Sequence, residues 1–397
     1  MKKVLVSFLS ILFGFFICNI AFADSIGAGN LSADNNVSQV EAETSIKIFD
    51  KMFTVAVIED NVPLQSIPYN DGLTVLQYYD KGITLNVVGE YNGFYKVMLA
   101  RDDFAWIDKS LVTKIEGYDN TPASIENFVY EELPNERVYK IKLNKKVPYV
   151  LSETIYYKTK QYKSFVKYSD GLDLIVYNVK NYPENKYEFH INNLGTKDFG
   201  YKIYYKNNNE LIISVKNFPI INSQKPLEGI KVVIAKEDIK YPFKKCPCLT
   251  NVEDDVTSKT LQKLKELLEK SGAEVLLSED NNIADDTDIF ISLHNELRPV
   301  ALNAIDPVGV NVFYYCPQSS SLASKIEDSL SYQTGLKSRG VEEKNTKSIR
   351  NTAFPAVYIE LSYLINSSEH FKMEQEDFPQ TVAKAILKGI VRYINDK

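Results

Sequence analysis

Histidine and cysteine are scarce in this chain, with three and four residues respectively among 397. One of the cysteines, Cys18, lies in the apolar N-terminal run, leaving Cys246, Cys248 and Cys316. So few exclude a disulfide-dense scaffold, and large apolar cores must hold the fold; one bridge involving Cys316 stays open. Gly 17 and Pro 15 are too few for a collagen-like or low-complexity chain. Positive charge is not in excess either. Lys+Arg 46 against Asp+Glu 52 gives a net charge of -6, which argues against a nucleic-acid partner held by bulk charge. After the first residues no run is apolar enough to span a bilayer. What the chain does have is 44% hydrophobic and 25% charged residues, a globular composition, with Tyr 26 and Phe 20 favouring sheet. At roughly 150 residues per domain, the length suggests two or three domains.

The N-terminus reads as an export signal over residues 1–23. Lys2 and Lys3 form a charged start, Val4 to Ile20 is mostly apolar, and Ala21-Phe22-Ala23 is a small-x-small cleavage site. Cys18 follows Ile17 rather than a small residue, against lipidation. The expected product is secreted, to periplasm or cell wall, with no retained membrane span; a retained anchor is the alternative reading of the same run. Residues 24–51, with Asn30, Asn35, Asn36 and Ser38, read as a flexible leader.

Over 52–116 the pattern becomes short alternating runs separated by turns. Thr54–Val57, Leu73–Gln77, Ile83–Val88, Tyr95–Leu99 and Ala105–Ile107 are expected strands, and Tyr91-Asn92-Gly93-Phe94 is a hairpin turn. Five short strands make a small β-barrel. Leu64, Ser66 and Pro68, then Lys81-Gly82, Gly93–Val97 and Ala105-Trp106-Ile107 resemble bacterial SH3-like domains. Such modules bind cell-wall peptides or pack against a catalytic domain. An acidic linker is expected over 117–136. Residues 137–225 are again strand-rich (Tyr139–Leu143, Gly171–Tyr177, Tyr187–Ile191, Tyr201–Tyr205, Leu211–Val215), with Asn207–Asn209 as a turn. This reads as a β-sandwich-like domain whose tyrosines form core and sheet face or, alternatively, a carbohydrate platform.

From 226 to 397 strands alternate with helices, so the multidomain chain ends in an α/β domain with a mostly parallel sheet. Expected strands are Lys231–Ala235, Glu274–Ser278, Ile289–Leu293, Val310–Tyr315 and Ala356–Leu361. Expected helices are Asp255–Ser271, closed by Gly272, then Ser320–Gln333 and Phe378–Ile394. In such sheets ligands collect beyond the carboxyl ends of the strands. Those ends carry Asp238, His294 and Glu360, with Glu253 just before the first helix. A carboxylate in an apolar strand is costly unless paired or metal-bound. Convergence of this set would make an oxygen/nitrogen zinc site with a general base; its bland alternative is a satisfied His294 and a solvated acidic rim.

Leu227–Ile234, Glu253, Ser292-Leu293-His294, Gly309–Tyr315, Gly335–Val341, Arg350-Asn351-Thr352 and Pro355–Leu361 occur in this order. On these residues the region 226–397 resembles the zinc-dependent N-acetylmuramoyl-L-alanine amidases of the amidase-3 type. The resemblance implies one Zn2+, with Glu253 and His294 as two of three ligands and Glu360 as the catalytic glutamate. Arg350 is then a candidate to hold a peptide carboxylate, its alternative being a structural salt bridge. It also implies a secreted peptidoglycan hydrolase that cleaves the amide between N-acetylmuramic acid and L-alanine. Family members carry an Asp-x-Gly-His-Gly loop after the first strand, whose histidine is the first zinc ligand. Here Asp238 stands at the histidine position and both glycines are missing. Asp238, Cys246 or Cys248 would have to complete the metal site, since His190 and His370 lie elsewhere in the chain. A catalytically inactive amidase-like protein that binds peptidoglycan without cleaving it is the alternative. Oligomeric state is not legible.

Overall fold

The computed structural model describes residues 45–397 apart from 160–164, 182, 193–197, 207, 222–223, 237–246, 279–282, 285, 297–308, 365 and 396–397; at 73, 154–159, 165–170, 198, 247–254 and 296 it describes the backbone alone. Its first sheet is built from β1 (Lys47–Val57), β2 (Val62–Gln65), β3 (Val75–Tyr79), β4 (Thr84–Tyr91), β5 (Phe94–Met98), β6 (Phe104–Asp108) and β7 (Val112–Ile115). Their order is β3-β2-β6-β5-β4-β1-β7, every pairing antiparallel. Asn92 and Gly93 both take positive φ (42° and 83°), as the expected Asn-Gly hairpin requires. Two strands exceed the five expected. β2 includes Leu64, because the polar Gln65 is buried and bonded by Thr74, and β7 pairs with β1 despite its polar sequence. The leader expected over 24–51 is also shorter than read: β1 begins at Lys47, and Lys47 bridges Glu90 on the neighbouring strand.

Next come β8 (Ile125–Glu132), β9 (Glu136–Leu143), β10 (Tyr149–Thr159), β11 (Phe165–Tyr177), β12 (Lys186–Asn192), β13 (Asp198–Lys206) and β14 (Glu210–Asn217). They form a four-stranded sheet, β13-β14-β9-β8, and a three-stranded one, β10-β11-β12. The segment expected as a linker over 117–136 therefore carries a strand. β8 pairs residue by residue with β9, so its acidic side chains sit on an exposed edge rather than in a loose connector. These sheets share one apolar cluster with the first, from Val55 and Leu85 through Tyr79, Tyr149 and Tyr205 to Ile213. The Tyr79 hydroxyl donates to the carbonyl of Tyr149 (2.9 Å), tying the first sheet to the second region inside that cluster.

The last region holds β15 (Lys231–Lys236), α1 (Pro247–Lys270), β16 (Glu274–Ser278), β17 (Ile289–Glu296), β18 (Val310–Tyr314), α2 (Ser320–Thr334), β19 (Ser338–Glu343), β20 (Ala356–Tyr363), α3 (Ser367–Met373) and α4 (Phe378–Ile394). Its sheet runs β16-β15-β17-β20-β18-β19, parallel except between β18 and β20. Chain architecture is thus all-β sheets followed by an α/β region with a mostly parallel sheet, as expected. α1 closes as its sequence predicts. Gly272 takes φ +98°, its N–H reaches the Glu269 carbonyl, and the Ala273 N–H reaches that of Leu268, the two bonds of a Schellman stop. α1 begins earlier than read, at Pro247, which fits a first turn because its missing N–H has no intrahelical partner there. The expected stripe on α4 is buried throughout, from Phe378 to Tyr393. β19 and α3 carry too few apolar residues to stand out in sequence.

Alternation along the strands splits the sheet into two faces. Val232, Ile234, Ile291, Leu293, Val357, Ile359 and Leu361 join α1, α2 and α4 in the main core. Val233, Ala235, Phe290, Phe313, Ala356 and Tyr358 face the other way, under Ile349, Ala353 and Phe354. The β region reaches into both. Phe199 of β13 is buried in the main core against Phe218 and Tyr393. The backbone of β13 docks on the loop before β20: Tyr201 N–H donates to the Thr352 carbonyl and the Thr352 hydroxyl to the Tyr201 carbonyl, both at 2.8 Å. Glu43–Lys397 is accordingly one compact unit.

Candidate active site

His294 and Glu360 are register partners on the adjacent parallel strands β17 and β20. In-register neighbours share a face, and both are spaced by two from residues of the second face, Ser292 and Tyr358. They therefore stand together on the side away from the helices. Asn311 of β18 is the partner of Glu360 on its other flank and donates to Glu342 at 3.0 Å. All three are buried, His294 at 1% and Glu360 at 5% exposure. β17 through Asn295 and all of β20 are buried, which is why an imidazole and a carboxylate here need partners.

Glu360 has four. Its Oε1 accepts from the Tyr358 hydroxyl at 3.2 Å and lies 3.5 Å from the Lys344 ammonium. Oε2 accepts from the Tyr363 hydroxyl at 3.0 Å and lies 3.5 Å from Arg339 Nη1. Burial, followed by the charge of Glu360, pushes the Tyr363 phenol above its ordinary range, so it stays a neutral donor. Lys344 Nζ also sits over the rings of Phe313 (4.3 Å) and Tyr358 (4.9 Å), which stack with 5.3 Å between centroids. Arg339 lies over Tyr363. Behind the site, buried Glu369 of α3 accepts from Gly309 N–H (2.7 Å), the Ser362 hydroxyl (2.6 Å) and Tyr363 N–H (3.1 Å), fixing the end of β20.

The remaining sequence candidates fall as follows. Asp238 and Cys246 lie outside the described residues. Glu253 lies within α1 rather than ahead of it, and Cys248 in its first turn; only their backbones are described. Arg350 stands at the junction with the first sheet, where it donates to the Tyr78 hydroxyl at 3.0 Å and to the Asn345 side chain. Asn345 in turn donates to the Gly72 carbonyl. His190 pairs with Asp173 in the β region, and His370 with Glu374 on α3. Cys316 is an unbridged, buried thiol directed at the carbonyls of Arg350 and Asn351. Among the described residues no three His, Cys, Asp or Glu side chains group as metal ligands, and His294 with Glu360 is the part of the expected set that is brought together. Sequence reading missed Arg339, Lys344, Tyr358 and Tyr363. Tyr358 was accessible from its spacing of two from Glu360 in one strand; the two cations come from outside that strand and left no comparable signal.

Comparison with known proteins bears on this site directly. Residues 249–392 match the N-acetylmuramoyl-L-alanine amidase family Amidase_3. Both His294 and Glu360 fall inside that segment, whereas the β-rich sheets before it are unassigned. Among curated relatives, the probable cell wall amidase LytH of Staphylococcus epidermidis is 32% identical over 152 residues, covering 36% of this chain and 51% of that protein. LytH of Staphylococcus aureus is 28% identical over 191 residues, covering 43% and 60%. The chain thus spans about half the length of the curated relatives it matches. A solved N-acetylmuramoyl-L-alanine amidase from Clostridium difficile 630 aligns with 43% of this chain and 100% of its own, at 21% identity and a TM-score of 0.37. The Amidase_3 family is zinc-dependent. No helix among the described residues is long and apolar enough to cross a membrane.

Proposed function

We propose that this chain is a secreted cell-wall hydrolase that cleaves the amide between N-acetylmuramic acid and L-alanine in peptidoglycan. The observation that carries the reading is the side-by-side placement of His294 and Glu360 on one sheet face, inside the segment matched to the amidase family. Hydrolysis adds water across the amide: the water oxygen bonds to the lactyl carbonyl carbon, the C–N bond breaks, and a proton must reach the departing amine. In this reading Glu360 takes the proton from that water and hands it to the L-alanine nitrogen. Tyr358, Tyr363 and Arg339 hold its carboxylate in a fixed orientation. A zinc ion on His294 and Glu253, the ligands implied by resemblance, with Asp238, Cys246 or Cys248 in place of the family histidine, would supply an electrophile for the carbonyl. The SH3-like first sheet would engage the wall, with Arg350 at its junction as a candidate carboxylate contact.

Digestion of purified peptidoglycan by the chain lacking residues 1–23, with added zinc or a chelator, tests this. Zinc-dependent release of peptides with a free L-alanine N-terminus is expected, together with near-stoichiometric zinc in the protein. Intact wall after prolonged incubation with zinc-loaded protein would refute it. A second reading, a wall-binding protein that does not cut, is favoured by the engagement of both Glu360 oxygens by cations and phenols. It predicts cosedimentation with the wall and no product.

A further inference from the structure

Glu360 is enclosed more completely than a working base requires. A carboxylate offers about four lone-pair positions. Here four donors address them, a phenol and a cation on each oxygen, and the side chain is only 6% exposed. Three of the donors are set in the sheet: Tyr358 and Tyr363 on β20 itself and Arg339 on β19. Lys344 differs. It follows the end of β19, its side chain is 38% exposed, and its ammonium reaches Glu360 along the stacked rings of Phe313 and Tyr358. Its own backbone is fixed by a bond from its N–H to the Tyr314 carbonyl, so the four-carbon stem is the movable part. The next residue, Asn345, is tied to Gly72 of the first sheet, and Arg350 to Tyr78.

We propose that Lys344 is a gate on Glu360: its ammonium fills the acceptor position that a reacting water or amine needs, and a carboxylate of the bound peptide opens the site by drawing it away. The inference rests on the amidase reading for its consequence, though not for its geometry. The cation is attracted to Glu360 at 3.5 Å, longer than a charge-assisted hydrogen bond of about 2.7–2.9 Å, so a closer peptide carboxylate competes for it. Lys344 acts through Glu360 and supplies no group to the substrate itself. Substrates whose peptide carboxylates are amidated would open the gate poorly.

Carboxyl labelling with a water-soluble carbodiimide and an amine, followed by peptide mass spectrometry, reads the gate without any need for turnover. In the parent chain Glu360 should label far more slowly than Glu116, whose side chain is 83% exposed. Lys344→Met should raise Glu360 labelling severalfold, and Lys344→Arg should keep it protected, with circular dichroism confirming that both variants fold. In the peptidoglycan digest, K344M should release peptides faster than the parent. Equal Glu360 labelling in parent and K344M overturns the gate, whatever the digest gives. Slower release by K344M, restored in K344R, also overturns it and makes Lys344 a positioning residue. Raised labelling with no release from either protein keeps the gate and removes the amidase reading instead.

Discussion

Gly200 is where the β region closely approaches the loop that supports the candidate site, and replacing it with alanine tests that junction. Its φ is not positive, so the residue is not needed for backbone conformation; it is needed for space. A Cβ there would lie 2.1 Å from the Ala353 carbonyl oxygen and 2.4 Å from its carbon. Both are backbone atoms that cannot rotate aside. Ordinary contact starts near 3.4 Å, so β13 and the loop must part by more than an ångström. The two bonds between Tyr201 and Thr352 are 2.8 Å long and would not survive that shift.

Two lost hydrogen bonds cost about 1–3 kcal/mol together, and overpacking adds about 1–3 kcal/mol, so the destabilisation is about 2–6 kcal/mol. Alanine stiffens the unfolded chain, which returns about 0.4–1 kcal/mol. Steric loss wins, leaving a net destabilisation of about 1–5 kcal/mol. Chemical denaturation of Gly200→Ala followed by circular dichroism should show a lower midpoint with an unchanged slope. The same loop carries Ala353 and Phe354 beneath the Glu360 face, so loss of turnover is expected to accompany the shift. A midpoint equal to or above that of the parent would refute the close approach and the role assigned to this junction.

Glu360→Gln should fold and lose about 10²–10⁴-fold in peptide release, since the amide cannot carry the proton; retained turnover in the digest would remove Glu360 from the chemistry. Glu369→Ala should cost about 2–4 kcal/mol in denaturant midpoint by leaving the Gly309 and Tyr363 amides unpaired inside the core. Alkaline pH should unfold the chain. Burial raises the phenols of Tyr79, Tyr149, Tyr201 and Tyr205 above their ordinary value of about 10, so the stability they contribute is full below that pH and is lost as pH rises from it through their raised folded-state range. Denaturant midpoints should therefore fall steadily above about pH 10, with tyrosinate absorbance appearing as the structure is lost; a constant midpoint across that range would contradict the burial.

The α/β region was largely legible because its signals are local and strong. Strands such as Ile289–Leu293 and Ala356–Leu361 are apolar runs broken only by Ser292 and Glu360, and α4 repeats its stripe through Tyr393. The His294–Glu360 pairing was legible only as an expectation from strand ends, since register is a property of the folded sheet. Elements with mixed sequences were not. β8, with three acidic residues, reads as a linker and yet forms an edge strand, because ladder bonds to β9 do not depend on its side chains. β10 and β19 were missed for a similar reason: long-range pairing decided them, against little local preference. Lys344 and Arg339 illustrate the limit at the site, for nothing in the sequence of β19 and its following loop announces that both converge on a carboxylate of β20.

The boundary between the β and α/β regions is clean in sequence and absent in the packing. Phe199, from β13, has 0% exposure and lies in the same core as α1, α2 and α4, stacked on Tyr393 of the last helix. Phe218, between β14 and β15, packs edge-on against both rings. The α/β core is therefore completed by residues that precede it, and the two regions should unfold together. Phe199→Ala would cost about 3–5 kcal/mol, the range for emptying an aromatic site in a core. If the regions are coupled as the packing implies, near-ultraviolet and far-ultraviolet signals fall in one transition, at a lower midpoint than in the parent. Two separate transitions, with the α/β one unmoved, would show that Phe199 is an ornament of the interface. A single lowered transition means that the β sheets and the α/β region, β20 and its glutamate included, unfold as one cooperative unit.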